Sequence, residues 1–217
     1  WDFVARDLRA PPYNYDSNTA YIVANKIFYQ GSGLVGSWHD CNCTAGTSGG
    51  CGATNGYMQW LAADDNDGNL SNGTPHMTAL FAAFDRHGMA CATPAPVRNA
   101  CAAPTGKPQV SATPQEGAVD LTWSAMDGAT KYWVMKTEGF AGCNFGKAKI
   151  AEVEGTSYTD GEVANGRQYC YSIVAQGSSA ACYSEGSECA CVTPACAPPG
   201  VSPTVAGPDG QTGVEFY

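Results

Sequence analysis

Residues 61–89, LAADDNDGNLSNGTPHMTALFAAFDRHGM, join an acidic loop rich in Asn and Gly to a helix with signals at both ends. Thr74 is a suitable N-cap, and Pro75 fits the first helical position, where its missing N–H costs nothing. Gly88 can end the helix in the left-handed conformation. The i, i+3, i+4, i+7 spacing gives the helix an apolar face made of Met77, Leu80, Phe81 and Phe84. Such a face needs a partner, so the stretch predicts the closing helix of a larger domain.

The sequence before this helix is also predicted to be helical, so that residues 1–91 form a small helical lobe. One helix begins at a cap provided by Asp16 or Ser17 and stops near Gly31, and a shorter helix covers residues 56–63. The longer helix has an apolar stripe made of Ala20, Val23, Ala24, Ile27 and Phe28.

From residue 105 onward the composition changes to short strands separated by turn signals. A linker at 92–104 therefore leads into an all-β, immunoglobulin-like sandwich at 105–194. The tail at 195–217 repeats the pattern that opens the sandwich and predicts the start of a second, truncated module. The fold class is thus α + β and multidomain. Strands are predicted in AVDLTW (118–123), KYWVMKT (131–137), KAKIAEV (147–153), TSYTD (156–160) and RQYCYSIVAQ (167–176).

The chain contains 11 cysteines among 217 residues, set in loops of small residues. This density favours disulfides, an oxidising compartment and therefore a secreted, extracellular protein. The main disulfide candidates are Cys91, Cys101, Cys143 and Cys182. We expect the pairs Cys51 with Cys41 or Cys43, Cys91 with Cys101 across the linker, Cys143 with Cys182, and two of Cys189, Cys191 and Cys196 with each other.

The formal net charge is −9, and no run of Lys or Arg is present. Nucleic acid and anionic membrane surfaces bind proteins through clustered cations, so the composition argues against both as partners. No run of about 18 apolar residues occurs, and membrane insertion is not predicted.

The acidic loop is the candidate metal site of the chain. Asp64, Asp65, Asp67 and Asn69 bring carboxylate and amide oxygens together before a tight turn, which suits calcium. The spacing departs from an EF-hand loop, and the alternative is an Asx-turn loop whose side chains bond the backbone. A melting temperature of the EDTA-treated protein that does not change with millimolar calcium would contradict calcium binding.

No catalytic or cofactor-binding residue is predicted. The sequence contains no HExxH, no GxSxG, no P-loop and no dinucleotide-binding fingerprint. The histidines His39, His76 and His87 lack the i, i+4 spacing of a helical metal site. We expect His76 to be a surface or capping residue at a helix N-terminus, and His87 to be a last-turn cation.

The sandwich sequence resembles a fibronectin type III domain. Trp123 closes the second strand, Tyr132 opens the third, and TSYTD (156–160) precedes a turn. Residues 169–175, YCYSIVA, match the Y-x-Y-x-V-x-A strand of that family. The chain departs from the family in its cysteines between Cys143 and Cys196.

Residues 1–8, WDFVARDL, residues 16–31 and residues 56–89, which include GTPHMTALFAAFDRHGM, resemble the C-terminal helical lobe of secreted bacterial zinc metallopeptidases of the fungalysin and thermolysin type. The resemblance implies endopeptidase activity with zinc held by an HExxH helix and a downstream Glu, none of which lies in this sequence. It therefore implies a non-catalytic C-terminal portion that is inert alone and works with the upstream catalytic portion of the same precursor. The sandwich would position the enzyme on a protein or peptide substrate, or on a cell-surface polymer.

The alternative is an extracellular binding or adhesion protein whose helical lobe is a degenerate peptidase domain. Tyr132, Trp133 and Tyr171 would then form a binding face, whereas alternating aromatic residues in such strands more often belong to the core. A third possibility is a structural, disulfide-linked spacer. Zinc ligands encoded upstream would distinguish the enzyme from the binding protein.

Overall fold

The chain folds into a helical lobe followed by a two-sheet sandwich, as described by a computed structural model for residues 1–33, 51–140, 142–143 and 147–196. Cys41, Cys43, His39 and nearly all of the predicted second module at 195–217 lie outside the described residues. Within the described ranges, no helix is both long and apolar enough to cross a membrane.

The helical lobe is built around three α-helices in its described part: α1 (Ser17–Ser32), α2 (Gly56–Asp64) and α3 (Met77–Asp85). A π-helical turn at Phe3–Asp7 and a 3-10 turn at Leu70–Asn72 complete it. Asp16 caps α1 as predicted, since its carboxylate accepts a hydrogen bond from the backbone N–H of Thr19 at 2.7 Å. The apolar faces of these elements meet in one core that includes Leu8, Val23, Ile27, Tyr57, Leu61, Met77 and Leu80.

Gly31 does not end α1, contrary to the sequence prediction. The helix continues through Gly31 to Ser32. A Cβ atom at Gly31 would lie 2.8 Å from Cδ1 of Trp60, so the glycine allows α1 to pack closely on α2.

The two ends of α3 differ in how well the sequence predicts them. The predicted N-cap Thr74 is wrong, because α3 begins at Met77 and the hydroxyl of Thr74 instead donates to the carboxylate of Asp64 at 2.5 Å. Gly88 has the predicted left-handed conformation, with φ of 66°, and the following N–H of Met89 bonds the carbonyl of Phe84.

The sandwich consists of two antiparallel sheets, with strand order β1-β2-β5 in one and β4-β3-β6-β7 in the other. The predicted strands are present within one or two residues at each end. Two further strands, β1 and β7, flank them. The bounds are β1 Val110–Gln115, β2 Ala118–Trp123, β3 Lys131–Glu138, β4 Ala148–Val153, β5 Ser157–Asp160, β6 Tyr169–Gln176 and β7 Ala190–Val192.

Large side chains fill the space between the two sheets. Trp123, Tyr132 and Tyr171 are all buried there, together with Val134 and Ile173. Tyr132 and Tyr171 are therefore core residues, and the prediction of a binding face that includes them is wrong.

The outer face of the larger sheet is buried as well. A strand with one face in solvent alternates between buried and exposed residues, but all eight residues of β6 are buried. The cause is α1, whose Ile22 packs in one apolar cluster with Trp133, Met135 and Val174. We call this packing of α1 on β3 and β6 the interlobe contact.

Polar groups complete the interlobe contact. The side-chain amide of Asn18 donates to Oγ of Ser172 at 2.8 Å and to the carbonyl of Ser187 at 2.9 Å, both in buried surroundings. The backbone N–H of Gly186 donates to Oγ1 of Thr19 at 3.1 Å. Because a different packing of the lobes would leave these donors buried without partners, the hydrogen bonds favour one relative orientation.

Four disulfides connect described residues, and none of the expected pairs is among them. Their pairs are Cys51–Cys91, Cys101–Cys182, Cys143–Cys189 and Cys170–Cys191. The four main candidates Cys91, Cys101, Cys143 and Cys182 are thus all bonded, but to other partners. The prediction of a Cys91–Cys101 bond is wrong. Cys91 joins one end of the linker to the helical lobe, and Cys101 joins the other end to the sandwich. Cys196 is a free, exposed cysteine.

We predict that Gly186→Ala destabilises the protein by about 1–3 kcal/mol, because an added methyl group overpacks the interlobe contact. A Cβ atom at Gly186 would lie 2.8 Å from both Nδ2 of Asn18 and Cδ1 of Ile22. Gly155→Ala is the matched control, since nothing lies within 4 Å of its Cβ position. Denaturant unfolding would measure both variants, and an equal effect would contradict the packing account.

Candidate functional site between the lobes

A buried carboxylate organises the helical lobe where it meets the sandwich. Asp64 is the last residue of α2 and is fully buried. Its carboxylate accepts hydrogen bonds from the backbone N–H of His76 at 2.6 Å and from Nδ1 of His76 at 2.7 Å, in addition to the Thr74 hydroxyl. A charged group at such a site is tolerated because each oxygen has donors.

The hydrogen bond to Asp64 orients the imidazole of His76. With the Nδ1 proton directed at Asp64, Nε2 is an acceptor for the hydroxyl of Tyr15, which lies 3.1 Å away. Burial raises the pKa of Tyr15 to about 12, so that its hydroxyl stays protonated and donates. The three side chains form a continuous chain of hydrogen bonds, which we call the Asp64–His76–Tyr15 relay.

The relay borders a cavity of about 200 Å³ between the lobes, here called the interlobe cavity. Its polar lining includes Tyr13, Tyr15, His76, Arg98, Tyr183 and Glu185. The guanidinium of Arg98 lies over the ring of Tyr13, 4.9 Å from its centroid. The hydroxyl of Tyr183 is buried and has no hydrogen-bond partner among the described residues. The cavity thus combines one cation, one carboxylate and several aromatic hydroxyl groups.

A buried lysine lies behind the cavity. The ammonium of Lys26 lies 4.7 Å from the ring centroid of Tyr183 and donates to the carbonyl of Ala63 at 3.4 Å. Burial lowers the pKa of Lys26 to about 8, although the negative charge of Asp64 opposes this shift.

The arrangement can recognise polar groups, and the hydrogen-bond partners of its histidine are Asp64 and Tyr15. An aspartate that orients a histidine is the usual setting of a general base. Here Nε2 of His76 is engaged by Tyr15, and the cavity lining includes Thr105, while Cys101 is in a disulfide. Arg98 and Glu185 can bind polar groups in the cavity through hydrogen bonds and through their charges.

Each of the four predicted calcium ligands makes hydrogen bonds within the protein. The carboxylate of Asp64 is hydrogen-bonded to Thr74 and His76. Asp65, Asp67 and Asn69 each accept the backbone N–H two residues later, at 3.2, 3.0 and 3.2 Å. These are successive Asx turns, the alternative that the sequence left open. Calcium binding by the remaining three residues stays a prediction.

No carboxylate or histidine group converges as a metal site in the described ranges. The one set of three or more His, Cys, Asp or Glu ligand atoms within 4.8 Å of one another is Cys170, Cys189 and Cys191. Their sulfur atoms are in disulfides and are therefore not free thiolates. His87 is largely exposed and lies 3.3 Å from Asp2.

His76 is the site residue whose role sequence reasoning missed. It occupies the N-cap position of α3, as expected for a helix N-terminus, but it is 4% exposed rather than at the surface and makes no side-chain capping bond. One signal in the sequence could have linked the two residues: Asp64 stands at the end of one predicted helix, and His76 stands at the start of the next.

We predict that Asp64→Asn lowers the free energy of unfolding by about 2–4 kcal/mol, because an amide cannot satisfy all the buried donors that face the carboxylate. Asp65→Asn is the control, since Asn keeps the single Asx-turn acceptor and the change should stay within about 0.5 kcal/mol. Chemical denaturation would measure both, and equal stabilities would contradict the role assigned to Asp64.

We also predict that stability rises between pH 8 and 10 because of Lys26. Its pKa is about 8 in the folded protein against an ordinary value of 10.5, so the unfolded chain binds more protons in this range. Stability increases with pH wherever the unfolded state binds more protons. Lys26→Met should reduce the increase between pH 7.5 and 9.5, whereas Lys131→Met, at a partly exposed position, should not. The same increase in all three proteins would contradict this cause.

No protein-family model matches the chain. A stretch of 74 residues, 34% of the chain, is 42% identical to an amylopullulanase of Thermoanaerobacterium saccharolyticum, and it covers 6% of that protein. The chain therefore spans only a small part of the curated relative that it matches.

Solved structures of fibronectin type III-like domains match about two fifths of the chain. An Fn3-like protein from Clostridium thermocellum is 31% identical, with 41% of this chain and 86% of that chain covered and a TM-score of 0.33. The FN5 domain of Drosophila Lar is 19% identical, with coverage of 42% and 96% and a TM-score of 0.35. By its strand order, and by the positions of Trp123, Tyr132 and Tyr171 between its sheets, the sandwich of this chain is a fibronectin type III-like domain.

Proposed function

We propose that this chain is the non-catalytic C-terminal portion of a secreted zinc metalloendopeptidase. In this proposal the helical lobe forms part of the substrate cleft, and the fibronectin type III-like domain positions the enzyme on a protein substrate or a surface polymer. The proposal rests on the resemblance of residues 1–8, 16–31 and 56–89, together with the following properties of the two lobes.

The fixed interlobe contact is the observation that carries the proposal. A targeting domain on a flexible linker searches a large volume, whereas a domain packed directly on the catalytic lobe holds its target in one orientation. Here the Cys101–Cys182 disulfide ties the linker to the sandwich, and Lys107 pairs with Asp16 of the helical lobe and with Glu188 of the sandwich. These ties favour one arrangement of the two lobes, which suits presentation of a substrate to a cleft.

An apolar groove on another side of α1 is suited to packing against a further part of the precursor. The groove has a volume of about 400 Å³ and is lined by Trp1, Tyr21, Phe28, Trp60, Phe84 and Met89. Trp1 is 82% exposed and Phe28 is 49% exposed, and contiguous apolar surface of this kind commonly marks an interaction site. We assign the groove to the upstream catalytic portion of the same precursor.

No zinc chemistry is assigned to the residues of this chain. Among the described residues, no three ligand atoms of histidines and carboxylates converge, and the sulfur atoms of the cysteine group are in disulfides. The zinc ligands of the proposed enzyme belong to the upstream portion, and this chain would contribute only to the shape of the cleft and to placement of the substrate.

The test uses the precursor encoded by the gene. We expect the coding DNA upstream of the Trp1 codon to encode HExxH and a later Glu, and the expressed precursor to hydrolyse casein in a chelator-sensitive manner. The isolated chain with added zinc should be inert. A precursor without these ligands and without hydrolysis would favour the extracellular binding protein, and zinc-dependent hydrolysis by the isolated chain would contradict the proposal.

Two neighbouring residues test the groove. Phe28→Asp should lower the activity of the precursor by at least tenfold, because it places a charge in the apolar groove. Tyr29→Asp is the matched control, since Tyr29 is 76% exposed and does not line the groove. Equal activities of the two variants would show that the catalytic portion does not use this surface.

A further inference from the structure

Two disulfides lie in contact at one end of the larger sheet. Cys170 and Cys191 are directly paired residues of β6 and β7, and they are bonded to each other. Cys143, from the segment between β3 and β4, is bonded to Cys189, just before β7. Together these bonds give β7 two covalent ties to the rest of the sandwich.

The sulfur atoms of the two bonds are close enough to react with each other. Sγ of Cys189 lies 3.5 Å from Sγ of Cys191. The Sγ atoms of Cys170, Cys189 and Cys191 all lie within 4.8 Å of one another, and Cys143 is not part of that group. Cys189 and Cys191 are exposed, whereas Cys170 is fully buried. An external thiol can therefore approach Sγ of Cys189 and Sγ of Cys191, but not Sγ of Cys170.

We propose that these four cysteines form a thiol–disulfide exchange site that takes small-molecule thiols as its substrates. Reduction of the Cys143–Cys189 bond generates a thiolate at Cys189 next to Cys191. That thiolate attacks the neighbouring disulfide and transfers the reduction to the buried Cys170. The inference is independent of the proposed peptidase function.

The steps balance in atoms and electrons. A small thiolate attacks Sγ of Cys189, forms a mixed disulfide and releases the thiolate of Cys143, which takes a proton. A second small thiolate attacks the sulfur of the first, forms the oxidised small disulfide and releases the thiolate of Cys189. This thiolate attacks Sγ of Cys191, so that a Cys189–Cys191 bond forms, the Cys170–Cys191 bond breaks and Cys170 takes a proton.

The exchange has a structural effect that simple reduction lacks. A single two-electron reduction converts two cross-links into one bond within the Cys189-Ala190-Cys191 segment. Both covalent ties of β7 are then lost, while the strand keeps its short ladder with β6, which pairs Tyr169 with Val192, Cys170 with Cys191 and Tyr171 with Ala190. One equivalent of a dithiol thus removes both cross-links from the edge strand and from the chain that follows it.

Two single variants of the full chain test the exchange, both in a Cys196→Ser background that removes the exposed free thiol. Cys143→Ser leaves a thiol at Cys189, inside the group of close sulfur atoms. Cys189→Ser leaves a thiol at Cys143, outside that group. Each protein is incubated with a small thiol at pH 8, quenched in acid and alkylated under denaturing conditions, and the label at Cys170 is measured by peptide mass spectrometry.

We expect the Cys170 thiol to appear at least tenfold faster in the Cys143→Ser variant, because an adjacent thiolate acts at a high effective concentration. In that variant the rate should also rise about tenfold from pH 6 to 7, as the thiolate fraction does. Equal rates in the two variants would overturn the proposal, because direct attack on the exposed Cys191 would then explain the reduction.

Partial reduction of a protein that retains all four cysteines of the exchange site provides a second measurement. The species with two new thiols should carry alkyl groups at Cys143 and Cys170 and retain a Cys189–Cys191 bond. Labels confined to Cys143 and Cys189, or to Cys170 and Cys191, would show independent reduction of each bond and would overturn the exchange.

Discussion

The burial of one sheet face by one helix governs the whole molecule. An antiparallel sheet can leave its second face in water, but here β3 and β6 carry apolar residues on both faces, and α1 covers the outer one. The same helix supplies Val23 and Ile27 to the core of its own lobe. Because α1 belongs to both interiors, the orientation of the sandwich on the helical lobe depends on it.

Elements with a regular period were predictable from the sequence, since the signal lies within the element itself. The alternation in AVDLTW (118–123) and the aromatic pattern at 169–175 identify β2 and β6, and the stripe through Val23 and Ile27 identifies α1. Contacts between the lobes gave no such signal. Asn18 and Lys26 have the polarity of surface residues, and their burial is imposed by Ser172, Ser187 and Tyr183, more than a hundred residues away.

The candidate site and the cysteines illustrate the same limit. Asp64 stands among other acidic residues in the sequence, yet the end of α2 directs it inward to His76 while its neighbours form turns at the surface. The bonded cysteines are 21 to 81 positions apart, because strand pairing and lobe packing, not sequence proximity, decide which sulfur atoms meet. A local interpretation of spacing could not anticipate either arrangement.

The covered sheet face also bears on how this fibronectin type III-like domain can be exchanged. A domain with a complete core of its own can fold alone and be exchanged for another such domain. Here Trp133, Met135 and Val174 would face water if the sandwich were cut from the helical lobe. An excised sandwich would therefore self-associate through this face, and a conventional domain grafted in its place would leave Ile22 of α1 without a partner. The helix and the sheet that it covers form one structural unit, although the sequence predicts a domain boundary between them.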